Sequence, residues 1–217
     1  MTEHAQQHWE SIYTNKPPQQ WSWFREHLES SLSWIERTLP ERTAPILDVG
    51  AGASTLVDDL LARGYRDITV LDISRAALDL SRQRLGGASS AVQWICADIL
   101  QAPLPTQRYA LWHDRALFHF LTQASQRQAY VRQLRQALRP GGHLLISTFS
   151  LHGPQQCSGL DVVRYDAASL SAELGPSLRL EQSWMEEHQT PAGRIQPFFA
   201  AHFVRVLTSP SGSCASE

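Results

Sequence analysis

The stretch ILDVGAGAS, residues 46–54, decides the fold. With Pro45 in front, its apolar start reads as a short buried strand over residues 45–49. Gly50 and Gly52 follow at once. Thr55 to Arg63 is then helical in pattern, with Leu56, Leu60 and Leu61 on one face and Gly64 as C-cap. This is a strand-to-helix turn in which missing side chains let a ligand approach the backbone. Asp48 places a carboxylate at the carboxyl end of the strand.

The same alternation continues along the chain. Ile68–Leu71 is a second strand, and Ser74 caps a helix to Leu85 that Gly86 and Gly87 close. Val92–Ile95 and Tyr109–His113 are the third and fourth strands. A helix from Thr122 to Leu138 is stopped by Pro140-Gly141-Gly142, and His143–Phe149 is the fifth strand. Strand–helix alternation at this spacing implies right-handed βαβ units and a parallel sheet. A short helix from Asp166 ends at Gly175. Residues 178–187 and 195–206, joined through TPAG (190–193), read as a hairpin closing the sheet. Ahead of the sheet, residues 1–40 are helical and aromatic-rich, and Pro17-Pro18 breaks them in two. The second piece runs Phe24, Leu28, Leu32, Ile35, Leu39 at helix spacing. The expectation is one α/β domain over residues 1–207: a Rossmann-like seven-stranded, mostly parallel sheet, a C-terminal antiparallel hairpin and an N-terminal helical lid. Residues 208–217 (TSPSGSCASE) read as a disordered tail.

Three acidic residues fall at the carboxyl ends of successive strands: Asp48, Asp72 and Asp98. In an open α/β sheet that edge is the ligand crevice. Asp72 lies 20 residues after Gly52, where a carboxylate can take two ribose hydroxyls. A dinucleotide fold needs a third glycine where this chain has Thr55, and a phosphate-binding loop needs a Gly-Lys pair that is absent. A carboxylate-lined crevice suits a cationic ligand carrying a ribose, and S-adenosylmethionine has that character.

The segments ILDVGAGAS (46–54), VLDIS (70–74), ICADIL (95–100) and LRPGGHLLIS (138–147) resemble class I S-adenosylmethionine-dependent methyltransferases. The resemblance implies that Gly50, Ala51 and Gly52 border the methionine part of the cofactor, with Asp48 near its ammonium. Asp72 would bind the ribose, with Ile73 packed on the adenine. Asp98 would meet the adenine amino group, with Ile99 beside it. Cys96 is expected in the core.

Acceptor chemistry is expected after the fourth strand, in His113-Asp114-Arg115-Ala116-Leu117-Phe118-His119-Phe120. Methyl transfer from an activated donor needs mainly alignment and desolvation. A thiol acceptor needs only its thiolate, which Arg115 favours. An amine or hydroxyl acceptor needs a base, for which His113, His119 and Asp114 are the candidates. DRALFHFL (114–121) resembles the corresponding stretch of thiopurine and other thiol S-methyltransferases. GPQQCSG (153–159) would then fall beside the substrate, with Cys157 as a pocket residue. Ala110 departs from the Asp that many methyltransferases carry in this strand. HWESIYTNKPPQQWSWF (8–24) instead resembles the start of eukaryotic elongation-factor lysine methyltransferases. Trp9, Tyr13, Trp21 and Trp23 flank the proline break and suit a lid. Trp21 is the candidate cofactor contact, Trp23 and His119 candidate acceptor contacts, and Trp34 a core residue. The readings are therefore a methyltransferase acting on a small, soft nucleophile, a protein lysine methyltransferase, or a non-catalytic cofactor-binding protein.

Composition narrows the classes. The chain has 217 residues, 42% hydrophobic and 18% charged, which excludes a disordered or fibrous protein. Formal net charge is −2, so no basic field points to nucleic acid. Of its 19 basic residues only Lys16 is a lysine. No apolar run approaches the roughly 20 residues of a membrane span. The first residues, MTEHAQQHWE, lack a signal-peptide pattern, and cytoplasmic localisation is expected. Cys96, Cys157 and Cys214 are too scattered for a disulfide framework or metal knuckle, and no metal site is expected.

Overall fold

The computed structural model describes residues 3–206. The expected tail and Cys214 lie outside them. Five parallel strands, β1 (Ile46–Val49), β2 (Ile68–Asp72), β3 (Val92–Cys96), β4 (Tyr109–Arg115) and β5 (Leu138–Phe149), stand in the order β3-β2-β1-β4-β5. The sheet continues with β9 (Ile195–Arg205), antiparallel to β5, and ends on β8 (Leu178–Gln189). The expected seven-stranded sheet with its closing hairpin is therefore present. The chain runs one way from β1 to β2 and β3, and the other way from β4 to β5. The switch point lies between β1 and β4, which opens a crevice at their carboxyl ends.

Both faces are covered. Leu47, Val49, Trp112, Leu144 and Ile146 pack under α5 (Ala124–Ala137) and α6 (Ala167–Leu174). Ile46, Ile68, Val70, Leu111 and Leu145 pack under α2 (Glu29–Thr38), α3 (Leu56–Ala62) and α4 (Arg75–Leu85). Strand alternation sends odd and even neighbours to opposite layers, and with both layers covered β1, β2 and most of β4 are buried throughout.

Several boundaries differ from the sequence reading. The piece expected to be helical from Phe24 forms a helix only from Glu29. Residues 21–28 instead lie over the crevice, tied there by tertiary contacts described below. Helix α5 starts at Ala124 rather than Thr122, because Gln123 and Gln126 cap each other reciprocally. Helix α3 starts at Leu56. The Thr55 hydroxyl is drawn away to donate to the carbonyl of Glu26 (2.6 Å). Pro140-Gly141-Gly142 does not stand between helix and strand but inside β5. Pairing jumps there from Tyr109↔Leu138 to Leu111↔His143, a bulge that Gly141 permits with φ +73°. Trp34 is not core. It is half-buried and stacks on Trp184 at 4.1 Å between ring centroids. Cys96 too is only half-buried, at the edge of that layer. Residues 153–161 hold a small hairpin, β6 (Gln156–Cys157) with β7 (Leu160–Asp161), that no periodicity announced.

Candidate active site

At the switch point lies a cleft with an enclosed volume of about 70 Å³. Gly50, Leu71, Asp72, Ile73, Ala97 and Ile99 line it from the ends of β1, β2 and β3. Arg115, Ala116, Leu117 and Phe120 line it from the end of β4, and Cys157 from the small hairpin. Trp9, Tyr13 and Trp23 reach it from the N-terminal segment. A second cavity of about 50 Å³ shares Tyr13, Trp23, Gly50 and Arg115 with it. Asp48, Ala51, His113 and Trp21 also line this second cavity.

The glycine turn has a steric reason. Gly50 and Gly52 both have positive φ, +60° and +58°. A Cβ on Gly50 would collide with Leu117, and one on Gly52 with the Tyr13 hydroxyl. The turn is thus tight against β4 on one side and the N-terminal segment on the other.

Asp72 is 6% exposed. Its carboxylate accepts from the Gly52 N–H (2.7 Å) and the Ser74 N–H (2.8 Å). Burial still pushes its pKa up to about 6, against those two bonds. A carboxylate offers about four lone-pair positions, so two remain for hydroxyls of a ligand lying in the cleft. Ile73 and Ile99 supply apolar surface beside it. Asp98 accepts from the Leu100 N–H (2.9 Å) and does not line the cleft, whereas its neighbours Ala97 and Ile99 do. The residues present fit S-adenosylmethionine. There is a buried carboxylate with spare acceptor capacity, an apolar slot for a base, and a glycine turn whose Gly50 lines both cavities. Bound there, the cofactor would be held by Asp72, Ile73 and Ile99 at its nucleoside end and by Gly50 and Ala51 at its amino-acid end.

The residues expected around the acceptor separate by strand parity. Asp48 and His113 are register partners on adjacent strands and face the same layer. His113 Nδ1 meets Asp48 Oδ1 at 2.7 Å, and His113 Nε2 meets Ser31 Oγ at 2.9 Å. Both ring nitrogens are thus engaged. Asp114, one residue on, faces the opposite layer and lines neither cleft cavity. Its carboxylate accepts from the N–H groups of Leu117 (2.9 Å) and Phe118 (3.3 Å) and from the Tyr130 hydroxyl (2.6 Å). It is fully buried, and its pKa rises to about 6. Its position is that of a pin for the turn after β4. His119 is likewise buried away from the cleft. Its Nδ1 accepts from the Phe149 N–H (3.2 Å), its Nε2 has no partner, and burial with Arg115 nearby lowers its pKa to about 3. Phe120 occupies the cleft wall instead.

Arg115 does line the cleft. It donates to the carbonyl of Trp23 (3.3 Å), and its guanidinium lies 5.3 Å from the Phe198 ring centroid. Its Nη2 is buried without a hydrogen-bond partner. Burial lowers its pKa to about 10, which leaves it charged at neutral pH. The Cys157 thiol is buried too and pushed up in pKa by that burial, so it stands as a neutral wall.

The roof is fastened at two places that sequence reasoning did not find. Glu10, on α1 (Glu3–Asn15), accepts from the Ser74 hydroxyl (2.7 Å) and the Ala76 N–H (3.2 Å) at the start of α4. Arg25 donates to His188 Nδ1 (2.9 Å) and to the Glu187 carbonyl (2.6 Å), and His188 Nε2 donates to the Ser22 carbonyl (2.6 Å). The aromatic rings interlock between these points. Trp21 stacks parallel to Trp23 at 6.1 Å, and Trp9 meets Trp23 and Phe120 edge-on at 5.6 and 5.0 Å. Only the aromatic bias of residues 9–23 signalled the roof. Glu10, Arg25 and His188 have no local pattern, because their partners lie far along the chain. Among the described residues no group of three metal-ligating side chains gathers, and no helix is long and apolar enough to cross a membrane.

Comparison with known proteins agrees with this geometry. Residues 46–142 match the model of a methyltransferase domain family. EEF1A lysine methyltransferase 2 of Danio rerio is 26% identical over 135 residues, 58% of this chain and 57% of its own. An uncharacterised methyltransferase of Mycobacterium tuberculosis is 29% identical over 115 residues, 53% and 55% of the two chains. The chain thus spans little more than half the length of these relatives. Among solved structures, one described for the conversion of a disulfide bond into a thioacetal group during echinomycin biosynthesis superposes with TM-score 0.76 at 18% identity, over 95% of both chains. The N-methyltransferase NodS of Bradyrhizobium japonicum, in complex with S-adenosylhomocysteine, gives 0.69 at 17%, over 94% and 99%. With its sheet order, its glycine turn and the family match, the segment 46–142 is a methyltransferase domain of the class I, S-adenosylmethionine-dependent family.

Proposed function

We propose that the protein transfers a methyl group from S-adenosylmethionine to a small acceptor that reacts as an anion or soft nucleophile, a thiol first among them. The observation that carries this reading is Arg115, a charged guanidinium in the wall of a roofed cleft with one N–H group unpaired. Bound S-adenosylmethionine supplies an electrophilic methyl, which the acceptor's lone pair takes up as the sulfonium carbon–sulfur bond breaks. The chain's own residues do the rest. Arg115 favours a thiolate by charge and gives it a donor to lie against. Trp9, Trp23 and Phe120 exclude water, which strengthens that interaction. Among the described residues no histidine lines the cleft and Asp72 is its one carboxylate, while His113 and Asp48 of the adjoining cavity are bonded to each other. Such a site serves an acceptor that sheds its own proton to water better than one that needs a base. The roofed sulfur-acceptor reading also draws support from the neighbour tied to thioacetal formation.

A protein lysine acceptor is the second reading, favoured by the Danio rerio relative. The Arg115 charge opposes it, since an ammonium group beside a buried guanidinium is repelled. Tritiated methyl donor offered with small thiols, and separately with a cell lysate, separates the two. Label in a small extractable product, lost in Arg115→Met while cofactor binding persists, is the expected outcome. Label retained on a protein band would overturn the small-acceptor reading.

A further inference from the structure

On the far side of the Trp21–Trp23 pair lies another cavity, open to solvent and about 330 Å³ in size. It shares Trp23 and Cys157 with the cleft, so those two side chains form the wall between them. Its outer lining includes Lys16 and Arg194, both exposed, and no carboxylate. Lys16 is the sole lysine of the sequence. Two of its lining residues carry an unpaired polar atom that is closed to solvent behind the cavity wall. One is Nε1 of Trp21, a residue only 3% exposed; the other is the side-chain oxygen of Gln196. A rotation of the Gln196 amide about its last bond presents N–H in place of oxygen.

From this we infer that the cavity is an outer acceptor subsite that takes the negatively charged end of an aryl acceptor. It deepens the small-acceptor reading above and rests on it for the identity of the reacting end. An indole N–H without a partner is a donor waiting for an acceptor atom. Two cations on a rim without acidic residues raise the local concentration of an anion and hold it once bound. The flat face of Trp23 on the shared wall suits an aryl ring spanning from the reacting sulfur to the charge. An acceptor with a carboxylate at the end away from its thiol matches all three features.

The test needs no turnover. Full-length protein saturated with S-adenosylhomocysteine is titrated by calorimetry with 4-(methylthio)phenylacetate and with neutral 4-ethylthioanisole, two S-methylated products of nearly the same shape. The charged compound is expected to bind at least tenfold more tightly. That advantage should vanish in Lys16→Glu/Arg194→Glu and survive in Lys16→Arg/Arg194→Lys, with the neutral compound unchanged throughout. Equal affinity for the two compounds, binding of neither, or an advantage that persists in the glutamate variant would overturn the subsite. Methyl transfer to 4-mercaptophenylacetate is measured separately. Charge-dependent binding without transfer would leave the subsite standing and remove the thiol reading.

Discussion

At the scale of single residues, two buried carboxylates with the same elevated pKa have opposite uses. Asp72 faces the cleft, and hydroxyls of a bound ligand would hydrogen-bond its ionised form. Affinity for S-adenosylhomocysteine should therefore rise as pH rises through about 6. Asp72→Asn should flatten that profile and Asp72→Ala should weaken binding by about 2–4 kcal/mol, both readable by calorimetry between pH 5 and 8. Asp114 faces α5, and its raised pKa is a matter of folding. The folded state holds its proton between roughly pH 4 and 6, where the unfolded chain has lost it. Its contribution to stability is thus greatest at low pH and declines as pH climbs to about 6. The stability difference between wild type and Asp114→Asn should shrink from pH 4.5 to pH 7 by about 2 kcal/mol. A pH-independent difference in urea midpoints would contradict this. Both aspartates were visible as candidates in the sequence, but their division of labour was not. It follows from parity on β4, where shifting by one residue turns a side chain to the other layer. His119 shows the same limit: DRALFHFL offered a histidine and two phenylalanines, and only the turn geometry after β4 chose Phe120 for the wall.

At the scale of elements, the alternation of strands and helices was legible because each carries its own periodicity and punctuation. The roof was legible only as composition. Its path across the crevice depends on Glu10 reaching the start of α4 and on Arg25 reaching β8, contacts that no local pattern encodes. Glu10 sits where a helix N-terminus favours an anion, and it shares Ser74 with Asp72, whose carboxylate accepts from the same residue's N–H. Removing it should loosen α1 without disturbing the sheet. In Glu10→Ala we expect a stability loss of about 1–2 kcal/mol. Limited proteolysis should then cut sooner within residues 1–24, and S-adenosylhomocysteine should dissociate faster in stopped-flow exchange. An unchanged dissociation rate would separate the latch from ligand retention.

At the scale of the whole molecule, sheet order places the glycine turn and the end of β4 on either side of one switch point, so the residues proposed to hold the cofactor come together through topology rather than proximity in sequence. Ligand binding there requires the folded state. At a hundredfold excess over its dissociation constant, S-adenosylhomocysteine should add about 2.7 kcal/mol of stability. For a chain of this size that is a rise of roughly 5–10 °C in Tm, measurable by scanning calorimetry. The interlocked rings of the roof have one more consequence. Trp9 and Trp23 border the cleft and Trp21 the cavities beside it, close enough to Arg115 and Cys157 for their emission to respond to what lies between them. The protein carries its own optical gauge of occupancy, so the order of ligand arrival can be timed from intrinsic fluorescence without attaching any dye.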